Sequence, residues 1–521
     1  MEGSVIMHWA YETANRIINE RPNQSIYTVA AGISPSGNVH IGNFREVATT
    51  YFVAQELRNL GKEVRFIFSW DDFDRLRKVP QGFDDKFKEC IGLPYSRVPY
   101  QGTTYADYFE KQFEKELSEL GIEVEFLYQN VNYRQGLYDI HIQTAIDKRK
   151  EIYDIINSFK TQESSIKERD AYYPITIYCD NCGKDETKVI EYQDGQLTYQ
   201  CKCGCLKERN LVGGNIKLIW KVDWAMRWMY ENVVFEPGGR DHSSATGSFN
   251  VSKVICKEIF SYEPPIYIPY DFIGIKGGTT KISSSSGQTV VISDLLKIYD
   301  KEIILWYYAK YRNNIPFNIS LDEDVLRYYS EFDRYVNAYY KGVLKDEKMV
   351  KVLELSNISK DYADNVSFNN LVSFLPMVKN DVELLRSLLE KDNQNISHSM
   401  FKSRLKRAIS WLELYSENRR INILKEFNQQ FFETLSLEER GWVTETHQVL
   451  LNNKFSTTSE LQSSLYAIPK NHELSDKELK TRQKKYFNIL YNMLLGLDKG
   501  PKLSLLFFAF SSEEYLQLLK K

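Results

Sequence analysis

The chain has 521 residues, 43% of them hydrophobic, and a formal net charge of −3. That length exceeds one ordinary core and predicts about two to four domains, and the near-neutral charge excludes a polycation, so any nucleic-acid surface must be gathered on one face. Leu503 to Phe510 is the nearest approach to the roughly 18 apolar residues of a membrane span, and the acidic Glu2, Glu12 and Glu20 argue against a signal peptide, so no membrane association and a cytoplasmic location are expected.

In chain order, the apolar, β-branched run Ile26 to Ala31 predicts a strand. Ile41, Phe44, Val47, Ala48, Tyr51, Phe52 and Leu60 then recur at helical spacing, and Gly61 stops the pattern. Val64 to Trp70 predicts a second strand. Between strand and helix lies Pro35-Ser36-Gly37-Asn38-Val39-His40-Ile41-Gly42-Asn43. A loop at the C-terminal end of a strand is where ligands sit in open α/β sheets, and a helix N-terminus favours anions. His40 there suits a phosphate or a transferring group, or serves only as a helix cap.

The second strand ends in Ser69-Trp70-Asp71-Asp72-Phe73-Asp74, whose carboxylates suit a cation or a substrate amine, or else a turn cap. Residues 103 to 158 read as helical, with Phe109, Phe113, Leu117 and Leu120 on one face, and the polar stretch Phe159 to Asp170 reads as a linker.

Cys179-x-x-Cys182, eighteen residues, then Cys201-x-Cys203-Gly204-Cys205 follow, with the hairpin signal Asp194-Gly195 midway. Five of the seven cysteines are in this cluster, which points to a metal in a reducing compartment rather than to disulfides. Two cysteine turns joined by a hairpin predict a zinc ribbon. Cys179, Cys182, Cys201 and Cys203 are the preferred ligands, because Gly204 suits a tight knuckle; Cys205 is the alternative to Cys203. Four thiolates leave no open position, so the zinc is expected to be structural.

Residues 215 to 300 return to α/β character. Trp220 to Trp228 is dense in aromatics, most of them expected in the core. Val233 to His242 reads as a strand running into a loop that ends in Asp241-His242, and Ile266 to Ile275 as a third strand. The loop Lys276 to Gly287 then surrounds Lys281 with small residues, a mobile phosphate clamp in which lysine supplies charge and hydroxyls supply donors.

From Ser293 on the pattern is helical, and Ser436 with Glu439, Thr457 with Glu460, and Ser475 with Glu478 fit capping boxes. Basic residues gather at Lys402, Arg404, Lys406 and Arg407, at Arg419 and Arg420, and at Arg482, Lys484 and Lys485, with Phe401, Trp411 and Tyr486 nearby as possible stacking rings for unpaired bases.

Two phosphate-type loops about 240 residues apart, with a cysteine ribbon between them and helices after them, resemble a class I aminoacyl-tRNA synthetase. His40-Ile41-Gly42-Asn43 is similar to the His-Ile-Gly-His signature of that class, and Lys281-Ile282-Ser283-Ser284-Ser285 to its Lys-Met-Ser-Lys-Ser loop, with Ser284 in place of the second lysine. Tyr27 to Gly37, His40 to Val47, Ser69 to Asp72, Val222 to Trp224, Phe235 to Pro237 with Asp241-His242, and Lys281 to Ser286 resemble the class I lysyl-tRNA synthetase family, as does Lys499-Gly500-Pro501-Lys502 near the end.

The resemblance implies a Rossmann-type parallel-sheet catalytic domain split by an insertion, and all-α domains behind it. Its boundaries would be 1–100 and 215–300 for the two catalytic halves, 101–214 for the insertion with its ribbon at about 171–210, 301–375 for a helical stem-contact domain and 376–521 for a helical anticodon-binding domain. It implies a lysine–tRNA ligase acting on L-lysine, ATP and tRNA(Lys), with Mg²⁺ and structural Zn²⁺, as a monomer. Lysyl-adenylate forms first, and a terminal ribose hydroxyl of the tRNA then takes the lysyl group. The catalytic residues would be His40, Asn43 and Lys281. ATP would meet Pro35, Ser36, Gly37, His40, Gly42, Asn43, Lys281, Ser283, Ser284 and Ser285. Lysine would meet Gly32, Ser34, Asp71, Trp220, Asp241, His242 and Tyr270, with Asp71, Asp72 and Asp241 open as the acid facing its ε-ammonium. The rivals are another class I synthetase of the glutamate-like subgroup and an adenylyl-transferring enzyme that uses no tRNA.

Overall fold

The computed structural model describes residues 7–520 apart from 81, 161–164, 212, 277–289, 379, 392–394, 416–422 and 472. The chain divides into two units, one of residues 1–296, 304–320 and 346–357, the other of 297–303, 321–345 and 358–521.

The first unit is built on four parallel strands in the order Val233–Phe235, β1 (Tyr27–Ile33), β2 (Val64–Trp70) and Glu125–Tyr128. Tyr27 to Ile33 pair one for one with Val64 to Trp70, so both strands end level at the same edge. Helix α2 (Ile41–Asn59) makes the crossover, and Gly61, at a φ of +75°, ends it as the sequence expects. Helix α1 (Trp9–Glu20) packs on α2, with the Trp9 and Phe52 rings 6.2 Å apart. Covered on both sides, α2 is buried nearly all round, the polar Arg45, Thr49, Thr50 and Glu56 included.

Two stretches differ from the sequence reading. Within 103–158, helix Tyr105–Leu120 ends at Gly121, and Glu125–Tyr128 then joins the sheet as an edge strand, too short for its period to stand out. Ile266 to Ile275 is not one strand. Pro269–Tyr270 pairs with Gly238–Gly239 and Ile273–Ile275 with Phe317–Ile319, while the main sheet gains only the bridge of Phe235 to Ile266. Pro269 lacks the N–H a longer ladder requires.

Later segments return to this unit. The Ala309 carbonyl accepts from the indole of Trp9 at 3.1 Å and lies 2.9 Å from Nε2 of His8. Tyr308 donates to the Ile41 carbonyl at 2.8 Å, and Asn357 donates to the Tyr51 hydroxyl at 2.7 Å.

The cysteine-bearing insertion contains a three-stranded antiparallel sheet of Thr187–Gln193, Gln196–Cys201 and Leu206–Asn210. Its first turn is the expected two-residue hairpin, with Asp194 and Gly195 at φ of 50° and 80°. One continuous core links Ala30 and Ile67 of the main sheet, through Tyr133 and Trp224, to Cys179 and Leu197 of this insertion.

Among the described residues the second unit is all helical. Ser436 with Glu439 and Ser475 with Glu478 form full capping boxes, and Thr457 caps the Glu460 N–H. The basic and aromatic residues singled out there fare differently from the sequence reading. Arg404 is fully buried, donating to Asp300 at 3.0 Å and Asp333 at 2.6 Å, and Arg407 donates to the Tyr299 carbonyl. Phe401, Trp411 and Tyr486 are buried, so none is open for a base. Arg419 and Arg420 lie outside the described residues.

Candidate active site

The loop after β1 delivers His40 to the N-terminus of α2 as its cap. Its Nδ1 accepts the N–H groups of Gly42 at 3.0 Å and Asn43 at 3.2 Å. With Nδ1 accepting, Nε2 carries the ring proton and is a donor. Gly42 is needed for this geometry, because a Cβ there would sit 2.9 Å from the imidazole. Capping and chemistry are thus compatible: one nitrogen fixes the ring and the other carries its N–H.

Two connected cavities lie at the C-terminal ends of β1 and β2, where an α/β sheet binds its ligands. The outer one, of about 480 Å³, is lined by Ser34, Ser36, Gly37, Asn43, Arg77 and Ser248 among others. Ser248 opens the helix Ser248–Glu258, so two helix N-termini reach this space. Of the residues the sequence assigns to the same region, Pro35, His40 and Gly42 do not line it. Arg77, which the sequence gave no reason to select, does.

The inner cavity is lined by Gly32, Asp71, Trp220 and His242 from the sequence-derived set, and by Glu46 and Glu236, which that set lacks. Gly32, Glu46, Asp71, Trp220 and His242 line both cavities, and Tyr270 lines the outer one. Glu46 accepts the Gly32 N–H at 2.9 Å and the Tyr270 hydroxyl at 2.8 Å. Glu236 accepts the indole N–H of Trp228. Neither forms an ion pair with a described residue. Burial pushes the Glu46 carboxyl up to about 8 and that of Glu236 up to about 7. Burial also lowers the pKa of His242, whose ring meets Trp224 edge-on at 5.7 Å. Trp220 stacks on Trp224 at 5.0 Å.

Of the three acids left open by the sequence, Asp71 alone lines the cavities. Asp71 is buried against Arg227 at 2.8 Å. Asp72 accepts the Asn130 N–H at 2.7 Å and lines neither cavity, and Asp241 is exposed and lines neither. Behind the inner wall Arg227 also faces Asp223 at 3.6 Å, and Lys217 joins Asp223 to Asp74. Burial alone would lower the Lys217 pKa, but Asp74, Asp223 and Asp71 outweigh it and raise it. This network is locked by mutual pairing, so Asp71 has its cation already.

Lys281, Ser283, Ser284 and Ser285 lie outside the described residues. Both flanks of their segment are anchored beside the first turn of α2. The Ile41 N–H donates to Val290 at 3.0 Å, His40 bridges Val291, and a Cβ on Gly42 would come within 3.8 Å of the Ile273 carbonyl. Arg45, buried, donates to the carbonyls of Asp271, Arg312 and Ile315 and so ties α2 to the strand before that segment.

In the insertion, the sulfurs of Cys179, Cys182, Cys201 and Cys203 lie within 4.8 Å of one another, with Cys179 to Cys203 at 3.7 Å and Cys182 to Cys201 at 3.6 Å. Cys205 is outside this group. Gly183 and Gly204, each just after a cysteine pair, adopt φ of 74° and 90° and turn the two knuckles inward. A tetrahedral zinc with bonds of about 2.3 Å sets its sulfurs about 3.8 Å apart, so the spacing fits that ion.

The chain resembles known proteins over almost its whole length. Residues 7–359 match the family model described as tRNA synthetases class I (K). A lysine–tRNA ligase of Borreliella burgdorferi is 34% identical, with 95% of this chain and 96% of that protein aligned. One from Pyrococcus horikoshii is 33% identical over 96% of both chains, and one from Streptomyces coelicolor 32% identical over 98% of both. The loop at α2, the cavities beside it and these matches together identify the chain as a member of the class I aminoacyl-tRNA synthetases, in the family for lysine.

Proposed function

We propose that this site activates L-lysine with ATP and transfers it to the 3′-terminal adenosine of tRNA(Lys). The observation that carries the reading is the pair of enclosed carboxylates, Glu46 and Glu236, that line the inner cavity with no cationic partner among the described residues. A buried carboxylate without a counter-charge is costly, and a substrate ammonium removes that cost. A glutamate substrate would bring a further carboxylate to the same place, which disfavours the glutamate-like alternative.

The lysine side chain enters past Gly32 and between Trp220, Tyr270 and His242, and its ε-ammonium meets Glu46, whose second oxygen stays on Tyr270. The lysine carboxylate then faces the outer cavity. There it attacks the α-phosphorus of ATP, the bond to the bridging oxygen breaks, and pyrophosphate leaves. Asn43, Nε2–H of His40 and the two helix N-termini stabilise the charge that develops on phosphate. Ser36 and Gly37 bound the nucleotide, and Lys281 with Ser283, Ser284 and Ser285 holds the departing pyrophosphate. Ser284 supplies no positive charge where the family loop has lysine, and Arg77 on the outer wall is placed to make up for it. Glu46, Asp71 and Asp74 each have a partner already, so Mg²⁺ is carried by the ATP phosphates rather than by these carboxylates. In the second step a ribose hydroxyl of the tRNA attacks the lysyl carbonyl and AMP leaves. Zn²⁺ on Cys179, Cys182, Cys201 and Cys203 is structural.

Amino-acid-dependent exchange of pyrophosphate into ATP, with tRNA present, tests this reading. Lysine alone supports exchange, and Lys281→Ala lowers its rate by on the order of 10²–10³. Exchange with glutamate, or an unaltered rate in Lys281→Ala, overturns it.

A further inference from the structure

Arg77 is brought to the outer cavity by a segment that belongs to neither the main sheet nor α2. Residues 74–76 run back against 92–95. The Leu76 N–H donates to the Leu93 carbonyl at 2.8 Å, the Gly92 N–H to that of Leu76 at 3.0 Å and the Tyr95 N–H to that of Asp74 at 2.8 Å. Leu76, Tyr95, Val98, Tyr105 and Phe109 give this fold-back a small core of its own. The same core reaches the loop after β1, because Tyr105 stacks on Tyr95 at 5.8 Å and donates to the Ser36 carbonyl at 3.0 Å. Arg77 and Ser36, both on the cavity wall, therefore hang on one support.

That support rests on the first cysteine knuckle. The Cys179 N–H donates to the Lys184 carbonyl at 2.9 Å, which closes the knuckle, and the next residue, Asp185, meets the fold-back twice. Its N–H donates to the Gly92 carbonyl at 2.9 Å, and its carboxylate accepts Arg75 at 2.8 Å. The two pieces fit closely: a Cβ on Gly92 would lie 3.2 Å from both Asp185 and Lys184, and one on Gly183 3.1 Å from Leu93. The Asp185 side chain is 7% exposed and its other oxygen has no hydrogen-bond partner. Arg75 is the one cation paired with it among the described residues, so without Arg75 an enclosed charge is left uncompensated. Neither Arg75 nor Asp185 lines the cavities.

A long cation binds phosphate more tightly when its backbone is fixed beforehand, since less freedom is lost on binding. We propose that Asp185 and Arg75 are positioning residues for ATP: by clamping the fold-back to the knuckle they hold Arg77, two residues beyond Arg75, at the outer wall. They touch no substrate and act through Arg77 alone. The proposal rests on the assignment of ATP to the outer cavity and deepens it, because it gives a residue of the insertion a part in nucleotide affinity.

The test is pyrophosphate exchange by the full-length enzyme with lysine and tRNA(Lys) present. Arg75→Ala and Asp185→Ala each raise the KM for ATP about ten-fold, while kcat and the KM for lysine keep their wild-type values. Arg75→Lys, which retains the cation, restores most of the loss. Arg77→Ala alone raises the KM for ATP by a similar factor, and adding Asp185→Ala or Arg75→Ala to it raises the KM no further. Arg75 lies off the ribbon, so Arg75→Ala carries the test even where Asp185→Ala disturbs the knuckle. An unchanged KM for ATP in Arg75→Ala, with or without a lowered midpoint of thermal unfolding, overturns the proposal. So does an equal rise in the KM for lysine, or an effect that adds in full to that of Arg77→Ala. An unchanged KM for ATP in Arg77→Ala overturns the placing of ATP against Arg77 itself, and the positioning role with it.

Discussion

Glu46 keeps its proton up to about pH 8 in the folded protein without substrate, whereas an ordinary glutamate carboxyl loses it near 4.5. Between those values the folded state holds a proton that the unfolded chain has released. The contribution of this group to stability is therefore greatest below about pH 4.5 and falls as pH rises towards 8. Lysine binding needs the ionised form, so binding near pH 6.5 expels a proton and affinity rises with pH up to about 8. Calorimetry in two buffers of different ionisation heat measures the released proton. In Glu46→Gln most of that release disappears and lysine affinity falls by on the order of 30-fold or more; an unchanged proton count removes Glu46 from the ammonium site. This residue was visible in the sequence but not its role. It lies three positions after Asn43 in the loop-and-helix motif, yet most glutamates are solvated, and only the fold shows that its carboxylate turns back to Gly32 and Tyr270. Asp71 is the converse: a strand-end acid of the right type, already used by Arg227. Sequence reads residue types, and the pairing of charges is a property of packing.

Among elements, those with a strong local signal were legible. The β1–α2–β2 unit, the Asp194-Gly195 hairpin and the Ser436 and Ser475 caps are all dictated within a few residues of chain. The elements missed depend on distant partners, such as the four-residue edge strand Glu125–Tyr128. The helix His398–Tyr415 gives the same lesson: its cationic face looks solvated in sequence, but Arg404 points inward to Asp300 and Asp333. The ribbon is the element whose stability a metal should govern, since four thiols converge at its knuckles. Metal analysis of the purified protein is expected to find about one zinc per chain. Chelation, or Cys182→Ser, is expected to lower the unfolding temperature and expose the ribbon to proteolysis, while the sheet behind Glu46 still binds lysine. Full thermal stability after complete zinc removal contradicts a structural role.

At the scale of the whole molecule, the first unit is not contiguous in sequence. It lacks its last pieces until residues 304–320 and 346–357 have been added. Those pieces satisfy His8 and Trp9 through Ala309, and Ile41 through Tyr308, next to the catalytic loop. The matched family region, which ends at residue 359, encloses the same set. A fragment of residues 7–359 is therefore expected to unfold in one cooperative transition in denaturant, and a fragment stopping at 303 to lack that transition; cooperative unfolding of the shorter piece contradicts the view that the returning segments complete the core. The threading also has a consequence in time. On a ribosome the sheet and its cavities emerge early, but about 60 further residues must follow residue 296 before the last returning strap is available. At about 5–20 residues per second that is several seconds. For that interval the nascent chain offers chaperones an almost finished catalytic half in which Phe44 of its central helix still lacks the Tyr308 ring that meets it at 4.9 Å.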